Sequence, residues 1–205
     1  MTPSGRLQAG RLHAAIRAIA EHTQGRLPAG TAHGDADESV GTIESDDAVG
    51  FDPLPVLRAL AEHDARAVVM GQVAGILHGS AELTGDLDLL WSGTERDRPA
   101  MSAAFGALQA RLTDDDGVPA DLADAFALPK VLFRTATAAG DCCTPRLPWK
   151  GLDVASFIER AAVADVDGFA VRYLRVEDLV AMRLAAGRPK DLRRAAELQR
   201  MAALR

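Results

Sequence analysis

The sequence predicts an α/β (or α+β) domain whose C-terminal end is helical. Segments with apolar residues at helical spacing alternate along the chain with short apolar runs typical of buried strands. Apolar residues make up 48% of the 205 residues and aromatic residues only 4%, so we expect an aliphatic core. Four regions are predicted: an N-terminal amphipathic helix (1–23), a flexible acidic linker (24–50), an α/β core (51–175) and C-terminal helices (176–205).

The first two regions differ in composition. Four apolar residues recur at helical spacing and predict a helix over residues 6–22: Leu7, Leu12, Ile16 and Ile19. Residues 24–50 instead carry five glycines and six acidic residues, with few large apolar side chains. Because such a stretch buries little apolar surface to offset the entropy of ordering, we expect a linker or a mobile loop there.

The core opens with a helix, a strand and a second helix. Two prolines near its start predict a helix over residues 53–63. Residues 67–70 form a short apolar run of the buried-strand type, and Gly71 ends it. Residues 72–79 then predict a short helix closed by Gly79.

Residues 86–91 (DLDLLW) alternate between acidic and apolar side chains. This period of two predicts a strand with Asp86 and Asp88 on one face and Leu87 and Leu89 on the other. The strand therefore directs two carboxylates to the same side.

Further elements are expected along the rest of the chain. They are a helix at 99–112, strands at 131–136 and 152–156, a helix at 157–164, a strand at 169–174 and helices at 177–186 and 189–203. The aspartate-rich stretch 114–124 is expected to be a loop or a broken helix. Gly187 ends the first C-terminal helix, and Pro189 begins the second.

Charge and composition exclude several classes of protein. The formal net charge of −6 argues against a protein that coats nucleic acid non-specifically, because such binding depends on clustered Lys and Arg. Cys142 and Cys143 are adjacent, which is a rare disulfide geometry, so we expect two reduced thiols. No apolar run approaches the ~20 residues of a membrane span, and the N-terminus lacks a secretory apolar region. We therefore expect a cytoplasmic protein with no membrane partner.

Gly71, Asp86 and Asp88 suggest phosphate chemistry when they are taken together. A glycine turn into a short helix exposes backbone N–H groups where a phosphate can bind. Two carboxylates at i and i+2 on a strand point the same way, so they can share one Mg²⁺ or clamp a pair of ions. An Asp-x-Asp strand alone is common on solvent-facing sheets, and only the combination with the glycine turn is specific.

The segment GQVAGILHGSAELTGDLDLL (71–90) resembles the signature of the polymerase-beta-like nucleotidyltransferase superfamily. That signature has Gly-Gly or Gly-Ser, a short helix and then Asp-x-Asp on the next strand. More narrowly, the segment is similar to the small bacterial nucleotidyltransferases of the AbiEii toxin type. The stretch VEDLVAMRLAAGRPKDLRRAAEL (176–198) is similar to the closing helices of those proteins.

The resemblance implies a minimal nucleotidyltransferase fold, in which a small mixed sheet is flanked by helices. It also implies transfer of a nucleoside monophosphate from a nucleoside triphosphate to a hydroxyl group, dependent on Mg²⁺ (or Mn²⁺). The acceptor would be RNA, a protein or a small molecule. A toxin–antitoxin setting with an antitoxin-like partner follows from the same resemblance.

The resemblance also assigns roles to individual residues. Asp86 and Asp88 would bind the metal, and Asp153, on the expected strand 152–156, would be the third acid, acting as metal ligand or as base. The triphosphate would contact the glycine turn and the C-terminal cations: Gly71, Gln72, Arg183, Arg188 and Lys190. Asp153 could instead be a surface residue, and Arg188 and Lys190 could be a solvated helix start.

Three departures from the family pattern bear on activity. Gln72 stands where the family has Gly or Ser, and its amide could either bind a phosphate or block it. Glu82 stands where relatives carry Arg, which should weaken triphosphate binding. Arg183 replaces the usual Lys, which keeps the charge but changes the geometry. The alternative function is a catalytically degenerate nucleotidyltransferase fold used as a nucleotide-binding or protein-interaction module.

Overall fold

The computed structural model describes residues 3–31 and 42–204. In this part of the chain, a seven-stranded mixed sheet is flanked by eight α-helices, and the last two helices close the C-terminus, as predicted. The helices are α1 (Pro3–Thr23), α2 (Leu54–Glu62), α3 (Gly71–His78), α4 (Arg98–Ala107), α5 (Leu122–Ala125), α6 (Val154–Glu159), α7 (Val176–Ala186) and α8 (Pro189–Ala203). The strands are β1 (Val68–Val69), β2 (Leu87–Leu90), β3 (Arg111–Thr113), β4 (Lys130–Arg134), β5 (Ala139–Cys143), β6 (Ala162–Val166) and β7 (Phe169–Tyr173).

The strand order is β3-β4-β5-β2-β1-β7-β6. Strand β2 is parallel to β5 and β1 is parallel to β7, whereas the other neighbouring pairs are antiparallel. Strand β2 therefore lies near the middle of the sheet, between β1 and β5. Its register with β5 places Asp88 opposite Asp141, so both side chains leave the same face of the sheet.

The core is mainly aliphatic, and four of its aromatic rings form one cluster: Trp91, Phe105, Phe126 and Phe133. The ring centroids of Trp91 and Phe126 lie 5.9 Å apart, and those of Phe105 and Phe133 lie 4.9 Å apart. These buried rings pack α4 and α5 against the sheet beside β2. Within residues 3–31 and 42–204, no helix is long and apolar enough to cross a membrane.

Helix α1 confirms the N-terminal prediction and packs on the core. Its buried Leu12 and Ile19 join the core, and the helix packs against α3 and β6. The Arg11 guanidinium donates to the Leu77 carbonyl (3.1 Å) at the end of α3. Gly79 follows there with φ 109°, a left-handed conformation that favours glycine.

The predicted linker is partly a packed segment. Residues 32–41 lie outside the described residues, but two short 3₁₀ helices follow them, at Thr42–Glu44 and Asp46–Ala48. Ala48 is fully buried against Gly85, where an added Cβ would overlap Ala48. The Asp46 carboxylate also accepts hydrogen bonds from the backbone N–H groups of Ala29 and Gly30. The expectation of an unpacked linker therefore does not hold for residues 42–50.

Most predicted elements of the core are observed, and the errors fall between residues 108 and 166. The predicted strand 152–156 was wrong: Asp153 precedes α6, and its carboxylate accepts a hydrogen bond from the Ser156 backbone N–H (3.3 Å). The helix predicted at 99–112 ends at Ala107, and the helix predicted at 157–164 is divided between α6 and β6.

Strand β5 was not predicted, because residues 139–143 (AGDCC) contain a glycine and no β-branched side chain. Its extended conformation comes from its neighbours, since it pairs with β2 on one side and β4 on the other. At Gly140, an added Cβ would overlap the Leu87 carbonyl of β2. Glycine is therefore required for this close approach.

Candidate functional site

A cavity of about 910 Å³ opens between one face of the sheet and the N-terminal turn of α3 with the α7–α8 pair. Charged side chains line both of its walls. The sheet side carries the carboxylates Asp86, Asp88 and Asp141, together with cations of β3 and β4: Arg111, Lys130 and Arg134. Cations line the helical side: Arg183, Arg188, Lys190 and Arg194.

Asp88 is at the centre of the acidic wall. It lies on β2 opposite Asp141 of β5, with Asp86 two residues before it. Burial raises the pKa of the Asp88 carboxyl well above its ordinary value, and the charges of Asp86 and Asp141 raise it further. Arg188 and Lys130 oppose this shift without cancelling it. Negative charge is therefore concentrated here at an electrostatic cost.

Neighbouring side chains hold the two flanking carboxylates. The Thr84 hydroxyl donates to Asp86 Oδ1. The Lys130 ammonium lies 3.2 Å from Asp141 Oδ2 and 2.7 Å from Asp115 Oδ1. Burial opposes the charge on Lys130, but the hydrogen bonds and charges of Asp115 and Asp141 outweigh it and raise the Lys130 pKa.

Gly71 is required at the turn into α3. Its φ of 60° lies in the left-handed region, and an added Cβ would overlap Asp88 Oδ2. The first N–H groups of an α-helix have no intrahelical acceptors, and Met70 at the N-cap provides no side-chain cap. The glycine therefore places the positive end of α3 directly beside Asp88.

Gln72 is buried, and its side chain is hydrogen-bonded within the protein. Its side chain is 3% exposed, and its amide Nε2 donates to Ser80 Oγ (3.0 Å) and to the Glu82 carbonyl (2.8 Å). Its Oε1 accepts a hydrogen bond from Arg183 Nη2 (2.7 Å). The Gln72 side chain thus links α3 to the following loop and to α7, so only its backbone is available to a ligand at this turn.

Arg183 is a buried cation that contacts the glycine turn. It is 5% exposed, and the same Nη2 that contacts Gln72 also donates to the Gly71 carbonyl (3.2 Å). Its Nη1 is buried with no hydrogen-bond partner among the described residues. Burial, followed by the nearby charge of Arg194, lowers the Arg183 pKa to about 10. A guanidinium stays charged at neutral pH under these conditions, so the cation is retained.

The Glu82 carboxylate is paired with an arginine of α8. Its Oε1 accepts a hydrogen bond from Arg194 Nε (2.9 Å), and Glu82 is not part of the cavity wall. Next to it, the Ser80 hydroxyl donates to Glu197 Oε2 (2.9 Å). The anion that distinguishes this chain from the family pattern is therefore balanced by a cation from the closing helix.

Arg188 and Lys190 begin α8 and face the carboxylates across the cavity. The Arg188 Nε donates to Asp191 Oδ2 (2.6 Å), which positions the guanidinium at the helix start. Lys190 is buried, and burial followed by the charge of Arg194 lowers its pKa. The structure brings both predicted cations to the same cavity as Asp86 and Asp88.

Asp153, the expected third acid, is not in this constellation. Its side chain is exposed at the start of α6 and does not line the cavity. Asp141 occupies the corresponding place on a strand adjacent to β2. Sequence reasoning missed Asp141 because it lies between the predicted strands 131–136 and 152–156, in a stretch interpreted as a turn region. The available signal was an acidic residue directly before Cys142 and Cys143, which are buried.

A less polar wall completes the cavity near the loop before α6. Leu147, Trp149 and Leu152 lie there, and the Trp149 indole N–H donates to the Thr144 carbonyl (2.9 Å). That hydrogen bond fixes the orientation of the ring. A fixed, partly buried indole offers a flat surface for a planar ligand group.

The donor set fits a divalent cation such as Mg²⁺ or Mn²⁺. Carboxylate oxygens are the ligands such ions prefer, and a bound cation would offset both the burial of Asp88 and the charges of Asp86 and Asp141, which together raise its pKa. In the arrangement observed, no group of three or more His, Cys, Asp or Glu side chains within residues 3–31 and 42–204 could hold a metal ion. Asp141 in particular is paired with Lys130, so the third ligand requires an exchange.

Comparison with known proteins assigns no function to this chain, so a functional assignment depends on the geometry of the site. No protein-family model matches the chain, and no curated protein matches it. The similarity to nucleotidyltransferases therefore stays a hypothesis based on the residues of this chain.

Proposed function

We propose that the chain is a Mg²⁺- or Mn²⁺-dependent nucleotidyltransferase that moves a nucleoside monophosphate from a nucleoside triphosphate to a hydroxyl group. One observation carries the proposal. Asp86 and Asp88, the glycine turn at Gly71 and the cations Arg188 and Lys190 all line the same cavity. A triphosphate with its metal needs this combination of anionic ligands, backbone donors and cations.

The phosphates would bind between α3 and α8. The N–H groups at the start of α3 would donate to phosphate oxygens, as helix N-termini commonly do. Arg188 and Lys190 would neutralise charge from the opposite side. Gln72 and Arg183 would position the turn rather than touch the phosphates, since their side chains are engaged with each other.

Asp86 and Asp88 would hold the metal, with Asp141 as the third ligand in place of Asp153. When bound, the divalent ion neutralises the phosphate charge and favours deprotonation of the acceptor hydroxyl. In the transfer step, the acceptor oxygen bonds to the α-phosphorus. The bond from that phosphorus to the α,β-bridging oxygen breaks, and pyrophosphate leaves with the electron pair. Asp141 would take the hydroxyl proton.

The wall around Trp149 would receive the base. Its ring is held by the Thr144 carbonyl, and stacking on an aromatic face tolerates any base. RNA, protein and small-molecule hydroxyls are all acceptors within the proposal. The toxin-like role, the antitoxin-like partner and the cytoplasmic location belong to the proposal through the family resemblance.

A second function is favoured by specific contacts. The Gln72 amide is fully used by the scaffold, and the Lys130 ammonium already pairs with Asp141. A chain that kept the fold and lost turnover would show these features. The second candidate is therefore a nucleotide-binding or protein-interaction module without catalysis.

Thermal melting with Mg²⁺ and each nucleoside triphosphate tests the site. Ligand binding to the native state raises the melting temperature, by the equivalent of about 2.7 kcal/mol when the ligand is at 100 times its Kd. We expect a rise that Asp86→Ala with Asp88→Ala abolishes and that the exposed control Asp153→Ala leaves intact. A rise that survives the double substitution would contradict the proposed site.

Pyrophosphate release with candidate acceptors then separates the two functions. Turnover with one acceptor class establishes the enzyme and names its acceptor. A metal-dependent rise in melting temperature without pyrophosphate release for any acceptor class favours the binding module.

A further inference from the structure

Lys130 stands out because it is an ammonium group placed among the carboxylates. It belongs to β4, whose residues pair with β5, and its side chain reaches across to Asp141 of β5. The Nζ lies 3.2 Å from Asp141 Oδ2, and Asp141 is opposite Asp88. A cation is thus already present where the proposed metal needs its third oxygen ligand.

The same ammonium has a second acceptor outside the acidic wall. Its Nζ lies 2.7 Å from Asp115 Oδ1, on the loop between β3 and α5. Asp114 shapes this loop, because its Oδ1 accepts hydrogen bonds from the backbone N–H groups of Asp116 and Val118. Asp115 is therefore on an ordered turn, where it can keep the ammonium if Asp141 is taken by another cation.

The position of each contact relative to the cavity indicates which one a bound cation would replace. The side chains of Lys130 and Asp141 are 25% and 30% exposed, whereas that of Asp115 is 68% exposed. Asp141 lines the cavity beside other carboxylates, where a divalent ion is attracted more strongly than a single ammonium charge. A lysine side chain with four methylene groups can move by a few ångströms without moving the strand.

We propose that Lys130 is a resident counter-ion that holds Asp141 in the metal-free protein and is displaced toward Asp115 when a divalent cation binds. This inference rests on the proposed function, because it concerns the same metal site. Lys130 is thus a positioning residue: it keeps Asp141 in place without metal and sets how strongly metal binds without nucleotide. The Lys130–Asp141 pair is then compatible with an active enzyme as well as with a binding module that lacks catalysis.

Mn²⁺ binding to the full chain without nucleotide, followed by electron paramagnetic resonance, tests the displacement. Lys130→Met should bind Mn²⁺ about tenfold or more tightly than the natural chain, because a competing positive charge is removed from the site. Lys130→Arg keeps the charge and should not bind more tightly. Lys150→Met is the matched control: it also removes a cavity-lining ammonium, but one that donates to the Ala186 carbonyl (3.1 Å).

Asp115→Asn provides a second variant that leaves the acidic wall intact. The displaced ammonium loses its alternative anionic partner, so Mn²⁺ should bind severalfold more weakly. Because Asp115 is an exposed loop residue, this variant tests the exchange even if Lys130→Met fails to fold. Equal Mn²⁺ affinity in the natural chain, Lys130→Met and Asp115→Asn would overturn the inference.

One further variant separates this failure from failure of the proposed function. If Asp86→Ala with Asp88→Ala abolishes Mn²⁺ binding while Lys130→Met binds like the natural chain, the metal site stands and only the role of Lys130 is wrong. If neither the natural chain nor Lys130→Met binds Mn²⁺, both proposals are wrong.

Discussion

The two sides of the cavity differ in how completely their charged groups are paired. On the helical side, Gln72 is hydrogen-bonded to Arg183, and outside the cavity wall Glu82 pairs with Arg194 and Ser80 with Glu197. On the sheet side, burial followed by the charges of Asp86 and Asp141 raises the pKa of Asp88. The helical network is thus largely paired, with Arg183 Nη1 an exception among the described residues, whereas on the sheet side Lys130 and Arg188 offset the repulsion among the carboxylates only in part.

This difference indicates which residues serve stability and which serve binding. A cluster of carboxylates whose repulsion is offset only in part destabilises the metal-free fold, which is the arrangement expected of a site that binds a cation. Satisfied pairs such as Glu82 with Arg194 need no ligand to explain them. Substitutions on the two sides should therefore have opposite consequences for stability and activity.

Asp88→Asn should have the largest effect, on turnover. Loss of a central metal ligand should lower pyrophosphate release by about 10³-fold, the equivalent of roughly 4 kcal/mol of transition-state stabilisation. Asp153→Asn is the matched control, because it removes an exposed carboxylate outside the cavity and should leave the rate unchanged. A rate that falls only with Asp153→Asn would restore Asp153 as the third acid and refute the role given to Asp141.

The same Asp88→Asn variant should be more stable than the natural chain without metal. Because the folded-state pKa of Asp88 is raised, the protonated form of this carboxyl favours the folded state. Its contribution to the free energy of unfolding is complete below the unfolded pKa of about 4 and is lost as the pH rises through the folded pKa. At neutral pH, Asn should therefore raise the free energy of unfolding by about 1 kcal/mol, and the gain should vanish near pH 3. Urea denaturation in EDTA at both pH values measures it.

Arg194→Met should have the next largest effect, on stability. Arg194 is buried, and its removal leaves Glu82 without its partner, at a cost of about 2 to 3 kcal/mol in the free energy of unfolding. The exposed pair of His13 with Asp167 provides the control, since His13→Ala should cost less than about 1 kcal/mol. Equal losses in urea denaturation would mean that the helical network has no special role in stability.

Gly71→Ala should lower the free energy of unfolding by about 1 to 2 kcal/mol, less than Arg194→Met, and it should affect both sides of the comparison. The new Cβ would push on Asp88 Oδ2, so the nucleotide-dependent rise in melting temperature should also be lost. Gly168→Ala is the matched control, because its φ is 85° and an added Cβ meets open space. Gly168→Ala should lower the free energy of unfolding through backbone strain but keep the nucleotide-dependent rise in melting temperature.

Local sequence was sufficient for the parts of the site that lie within one segment. The period of two in residues 86–91 predicted that Asp86 and Asp88 share a face, and both line the cavity. Glycines after α3 and α7 predicted where these helices end, and Gly79 and Gly187 are left-handed there. These predictions held because residues a few positions apart set both signals.

The tertiary structure alone decided which distant residues complete the site. Asp141 lies on a strand with no strand-forming side chains of its own, and it faces Asp88 only because β5 pairs with β2. The sequence predicted that the Glu82 carboxylate would be unfavourable for phosphate binding, but in the structure its charge is balanced because Arg194 approaches from α8. Pairing between residues more than 50 positions apart depends on how the sheet and helices pack, and local periodicity carries no information about that packing.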